Sequence, residues 1–90
     1  MKVRNMISKN GNGKAVSQFD IELDNGDRVF QSYDTVIARR NVNGKIILDL
    51  NSWDCSITTG RYRNQFLYEK KPATERKIKS GEYALADLNA

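Results

Sequence analysis

The sequence predicts an α+β domain: an antiparallel β-meander of four to five strands, followed by one or two C-terminal helices packed on one face. Three observations predict it. Two Asn-Gly dipeptides, Asn25-Gly26 and Asn43-Gly44, lie between stretches of alternating apolar residues, which is the strongest short-range hairpin signal. That alternation stops near residue 52. From Trp53 onward apolar residues recur one helical turn apart, as at Tyr62 and Phe66.

The 90 residues suit a single domain, strand-rich over 1–52 and helix-rich over 53–82, with a C-terminal tail over 83–90. The first strand covers the apolar stretch Val3 to Ile7, and a plain glycine-rich turn follows at Asn10-Gly11-Asn12-Gly13. Next comes Gln18-Phe19-Asp20-Ile21-Glu22-Leu23, which alternates strictly and reads as a half-buried strand. A two-residue loop at Asn25-Gly26 pairs Ile21 with Phe30 and Phe19 with Ser32, bringing Phe30 onto the apolar face. Asp20, Glu22 and Asp24 then form a polar outer face. The second hairpin joins residues 35–42 to residues 45–50. A two-residue loop would place Ile37 and Arg39 on the Leu48 side; a bulged three-residue loop, slightly preferred, places Val36, Ala38 and Arg40 there instead.

A helix from Ser56, Thr58 or Thr59 to about Tyr68 lays its Tyr62–Phe66 face on the sheet. Pro72 breaks the chain, and a second short helix runs from about Ala73 to Ser80, stopped by Gly81. The alternating segment Glu82-Tyr83-Ala84-Leu85 either adds a last strand or drapes over the core.

Composition excludes most catalysis. The chain has no histidine and one cysteine. It therefore lacks the commonest general base, metal ligand and near-neutral pH switch. Cys55 has no base to activate it and no second thiol, so it reads as a small buried hydrophobe. Neither a metal site nor a cofactor is expected, and no enzymatic activity. No apolar run approaches the ~18 residues of a membrane span, and no apolar stretch follows Met1-Lys2-Val3-Arg4-Asn5 as in a secretory signal. The expectation is a soluble cytoplasmic protein whose work is binding.

Charge gives that binding a place. Residues 61–79 hold seven basic side chains against two acidic ones, whereas residues 1–60 hold eight against seven. Arg61, Arg63, Lys70, Lys71, Arg76, Lys77 and Lys79 are the candidate basic face, the electrostatic footprint of a polyanion or an acidic surface. Tyr33, Trp53, Tyr62 and Tyr68 are candidate aromatic contacts. The same residues admit a plainer reading, in which the lysines are solvated and Tyr62 and Phe66 belong to the core.

Three segments together resemble a known group: Phe30-Gln31-Ser32-Tyr33, the run from Trp53 through Ser56-Ile57-Thr58-Thr59 to Leu67, and Lys77 to Tyr83 with Asp87-Leu88-Asn89. Over about residues 19–89 the chain resembles a family of short uncharacterised proteins of bacteriophages and their hosts. The resemblance implies one compact domain and supplies no activity. It also implies an accessory protein of the host-cell cytoplasm that inhibits a host defence or nucleic-acid-handling factor. Direct binding of nucleic acid or a nucleotide, and a structural role in assembly, are the competing expectations.

Overall fold

The computed structural model describes residues 1–8, 11 and 13–90. In chain order the elements are β1 (Lys2–Ile7), β2 (Lys14–Glu22), β3 (Arg28–Ser32), β4 (Thr35–Arg40), β5 (Ile46–Asp49), α1 (Ile57–Leu67), α2 (Lys71–Ser80) and β6 (Ala84–Ala86). The α+β class is as the sequence predicts. The sheet differs, having six strands in the order β1-β2-β3-β4-β5-β6. The first five form an antiparallel meander, and β6 pairs in parallel with β5. Parallel neighbours need a long crossover. Here it contains both helices, which carry the chain back to the β5 edge, where β6 adds the last strand. The tail both adds this strand and drapes beyond it: the Leu88 N–H donates to Asp49, and the Asn89 amide bonds the N–H and carbonyl of Val36.

Both Asn-Gly hairpins use one device. Leu23 N–H donates to the Asp27 carbonyl, and Asn41 N–H to the Lys45 carbonyl. Each loop therefore holds three residues, with the glycine alone at positive φ, 94° at Gly26 and 87° at Gly44. This is the type I turn plus bulge, not the two-residue turn that needs both central residues at positive φ. The second hairpin has the preferred register, with Ala38 opposite Leu48 and Arg40 opposite Ile46. The first is corrected by one residue: Ile21 pairs with Val29, and Phe30 pairs with Asp20. Phe19, Ile21 and Leu23 thus leave the core face, while Asp20 and Glu22 turn toward it. The expected turn at Asn10-Gly11-Asn12-Gly13 falls partly outside the described residues, at Asn10 and Asn12. Within them, Ser8 and Gly13 are hydrogen-bonded through their backbones.

The core lies between one sheet face and α1. Phe30, Ile37, Ala38 and Leu48 are fully enclosed, joined by Met6, Ala15, Ile46, Tyr62, Phe66, Leu67 and Tyr83. The Phe30 and Phe66 rings stack at 5.9 Å. Ile37 is enclosed because β4 bulges there: Phe30 faces Ala38 while Gln31 faces Val36. The buried hydroxyls of Ser32 and Thr59 meet at 3.2 Å. That contact joins the Phe30–Tyr33 motif to the Ser56–Thr59 motif, so these residues maintain the fold.

Two enclosed carboxylates brace the loops. Asp27 accepts from Arg39 and from the Val42 N–H. The Arg39 bond, helped by Val42 and Asn25 and opposed by burial, holds its carboxyl below the usual range. Burial pushes Asp49 up. Bonds from Ser52, Leu88, Asn89 and Asn51 outweigh that, and its net shift is downward. Depressed carboxylates contribute stability that is present above their unfolded pKa, about 3.9, and is lost as pH falls through the folded values. Urea midpoints should therefore stay level from pH 7 to about pH 5 and drop below about pH 4. Asp27→Asn should lower the midpoint at pH 7 and flatten the acid slope; an unchanged slope would remove Asp27 from this account.

Candidate functional site

The basic segment folds into two helices whose first turns border one cleft. Ser56 caps α1, its hydroxyl accepting from the Thr59 N–H at 3.0 Å. The chain leaves α1 at Tyr68, which adopts the left-handed conformation at φ 58°. Pro72 does not delay α2; it sits in the first turn, where a missing N–H costs nothing. Lys70 is the N-cap of α2 without a side-chain capping bond, and Gly81 ends the helix as expected. Neither helix has an acidic residue in its first turn. The partial positive charge of both N-termini is thus uncompensated by sequence.

Arg63 does not join the exposed face. It is 1 % exposed, one of the most enclosed side chains in the molecule. Its guanidinium lies 5.3 Å from the Trp53 ring centroid and donates to the Trp53 carbonyl, Asp54 and Asn64. Its Nε makes no hydrogen bond among the described residues. The reason is helical phase. Thr59, Tyr62, Arg63, Phe66 and Leu67 are the buried positions of α1, and they share one stripe. That spacing was the available signal, and the positive charge of Arg63 masked it.

The other basic residues divide three ways. Lys71 pairs with Asp54 at 2.6 Å. Lys71 and then Arg63 hold the Asp54 carboxyl below its ordinary value, and Asp54 in turn raises Lys71. Lys77 turns inward to Glu69, which also accepts from Thr74 and Tyr83. Burial pushes Glu69 up, but these three donors leave it depressed. Arg61, Lys70, Arg76 and Lys79 remain exposed. Of the seven, Arg61, Arg63, Lys70 and Lys71 line a single cleft of about 710 Å³, together with Asp54, Ser56, Ile57, Gly60 and Asn64. Arg76, Lys77 and Lys79 are not among its lining residues.

The aromatic candidates separate as well. Tyr62 is buried in the core, and Trp53 is half-buried beneath Arg63. Tyr33 is exposed in the β3–β4 turn, and Tyr68 is exposed at the end of α1. None of the four lines the basic cleft. Ile57 does, and it is 85 % exposed. Cys55 is exposed too, contrary to expectation, because it lies in the turn leading to the Ser56 cap rather than on a core-facing element. Among the described residues, no group of His, Cys, Asp or Glu side chains could hold a metal ion, and no helix is long and apolar enough to cross a membrane.

Neighbouring arginines should therefore behave oppositely. Arg63→Ala removes an enclosed, fully packed side chain and should cost roughly 3 kcal/mol by urea unfolding. Arg61→Ala should stay within about 0.5 kcal/mol. Equal effects would contradict the assignment of Arg63 to the core.

No curated protein and no solved structure matches the chain. A family model does match, across residues 1–82, which takes in all five strands of the meander, both helices and the cleft between them. The chain belongs to DUF8033, a family of unknown function.

Proposed function

We propose that this is a small non-enzymatic binding protein that docks on an acidic surface of a partner protein through the cleft between the starts of α1 and α2. The observation that carries the reading is the composition of that cleft. An exposed apolar side chain, Ile57, is bordered by Arg61, Lys70 and Lys71. An apolar centre with a charged border is the anatomy of a protein interface. Two helix N-termini lacking acidic first-turn residues add to the attraction for carboxylates. The partner reading is favoured over nucleic acid because no aromatic ring lines the cleft, and single-strand binders rely on base stacking. The resemblance to small phage proteins supports a finer version, in which the protein inhibits a host defence or nucleic-acid-handling factor in the host-cell cytoplasm.

The test uses Arg61→Glu combined with Lys70→Glu, two exposed positions. Immobilised wild-type protein should retain a stoichiometric acidic protein from bacterial lysate, and nuclease should not release it. The double variant should lose about 10-fold or more in affinity for that protein, with an unchanged circular dichroism melt. Equal retention by the variant would rule out the cleft. Release by nuclease would replace a protein partner with nucleic acid.

A further inference from the structure

The helix-covered face of the sheet places two arginines directly opposite each other. In one cross-strand row Glu22 faces Arg28, and Arg28 faces Arg40. In the next row Arg4 faces Asp20. Like charges directly opposite destabilise an antiparallel pair. Asp20 relieves half of this conflict by binding Arg28 through both its oxygens. Arg40 has no carboxylate within ion-pair distance among the described residues. Its guanidinium lies 4.8 Å from the Phe66 ring centroid and donates to the Phe66 carbonyl at 2.8 Å, which fixes its position without neutralising it. Arg4 reaches only Glu22, at 3.7 Å, and is half exposed.

These three arginines, with Asp20, Phe66 and Tyr68, line a cleft of about 390 Å³ between the sheet and the end of α1. It shares no lining residue with the α1–α2 cleft. Tyr68 is the second anomaly. It occupies the left-handed C-cap of α1, where glycine fits without strain, and the residue is 88 % exposed. Ser17 and Tyr33 share this conformation elsewhere in the fold; Tyr68 differs in bordering the three arginines, and strain at a cleft is a mark of function.

We propose that this cleft binds a ring-bearing phosphomonoester, its phosphate on Arg4, Arg28 and Arg40 and its ring against Tyr68. The three guanidiniums outnumber Asp20 in the lining and Glu22 beside Arg4, an excess that attracts an anion, and guanidinium forks match phosphate oxygens. The exposed phenol supplies a stacking surface. The volume lies at the small end of ligand sites and suits a phosphomonoester no larger than a mononucleotide.

Calorimetry and amide-resolved NMR would test this with phenyl phosphate, adenosine 5′-monophosphate, benzoate and inorganic phosphate. At least one of the two ring-bearing phosphates should bind ~10-fold or more tightly than benzoate or inorganic phosphate, a factor expected of a charge-assisted contact and a stacked ring. Its shifts should map to Arg4, Arg28, Arg40 and Tyr68. Arg4→Gln should weaken it about 10-fold. Tyr68→Gly should weaken the ring-bearing probes and leave inorganic phosphate unchanged, while raising the melting temperature by roughly 4 °C through relief of the strained φ. Lost binding alongside a higher melting temperature cannot be a folding defect. Preference for the nucleotide identifies a nucleotide site, and preference for phenyl phosphate an aryl phosphate site. Benzoate equal to the phosphates, no saturable shifts in the cleft, or full affinity in Tyr68→Gly would overturn the proposal.

Discussion

The three-residue loop between Leu23 and Asp27 decides which side of the sheet carries charge. Side chains alternate along a strand, so one residue of slip exchanges the two faces completely. With Gly26 alone at positive φ, Phe30 lies opposite Asp20 rather than Ile21. Asp20, Glu22, Arg28 and Arg40 are thereby gathered on the side covered by α1. Phe19 and Ile21 go to the opposite face, beside Val3 and Val29. Gly26 is held from a second direction: a Cβ there would stand 2.9 Å from Val42 of the other hairpin loop. The two Asn-Gly loops pack together, and Asp27 binds Arg39 and the Val42 N–H at the same corner. The charge arrangement of the core face thus rests on backbone geometry at a loop outside it.

Arg63 has the corresponding role among the helices. Enclosing a guanidinium is costly unless its donors are matched. Here the Trp53 carbonyl, Asp54 and Asn64 meet most of them, and the Trp53 ring adds a desolvated cation–π contact. The result is mechanical. Asp54 serves Arg63 from one side and Lys71 from the other, so one carboxylate in the connecting loop ties the core of α1 to the first turn of α2. The basic cleft is the gap that this bridge holds between the two helix starts. An arginine that the charge count groups with the exposed basic residues instead sets the spacing of the residues that line the cleft.

What the sequence made legible was local. The Ser56 cap, the Gly81 stop, the second hairpin's register and the Tyr62–Phe66 stripe each follow from residues within a turn or two of one another. The first hairpin departs from the expected register because Asn-Gly fits both a two-residue turn and a three-residue loop, and strict apolar alternation favours the former. Alternation shows that a strand has two unlike faces; it does not say which one a helix will cover. The parallel pairing of β6 depends on where a crossover of two helices returns the chain, which no local pattern encodes. For the candidate site, the charge count points to a segment of which Arg61, Arg63, Lys70 and Lys71 line one cleft. It also included Lys77, which Glu69 draws inward, because sequence cannot show an ion pair closed by tertiary packing. The arginines of the second cleft are not legible in the sequence for the same reason: Arg4, Arg28 and Arg40 lie on three different strands.

Both clefts bring ion-paired and unpaired basic side chains together. Arg28, Arg39, Arg63, Lys71 and Lys77 each reach a carboxylate, and every one of these pairs fastens two parts of the chain. Arg61 and Lys70 have no such partner among the described residues and meet at one cleft. Arg40 has none either and sits at the other. A domain this small has limited stability to set against uncompensated charge. Selection for stability alone would replace Arg40 or supply it with an acidic neighbour, and would place glycine at Tyr68. Both departures border the same cleft. Ser17 and Tyr33 share the left-handed backbone of Tyr68, so the conformation alone does not single out the cleft; a ligand's negative charge would answer Arg40, and its ring the exposed Tyr68 beside it.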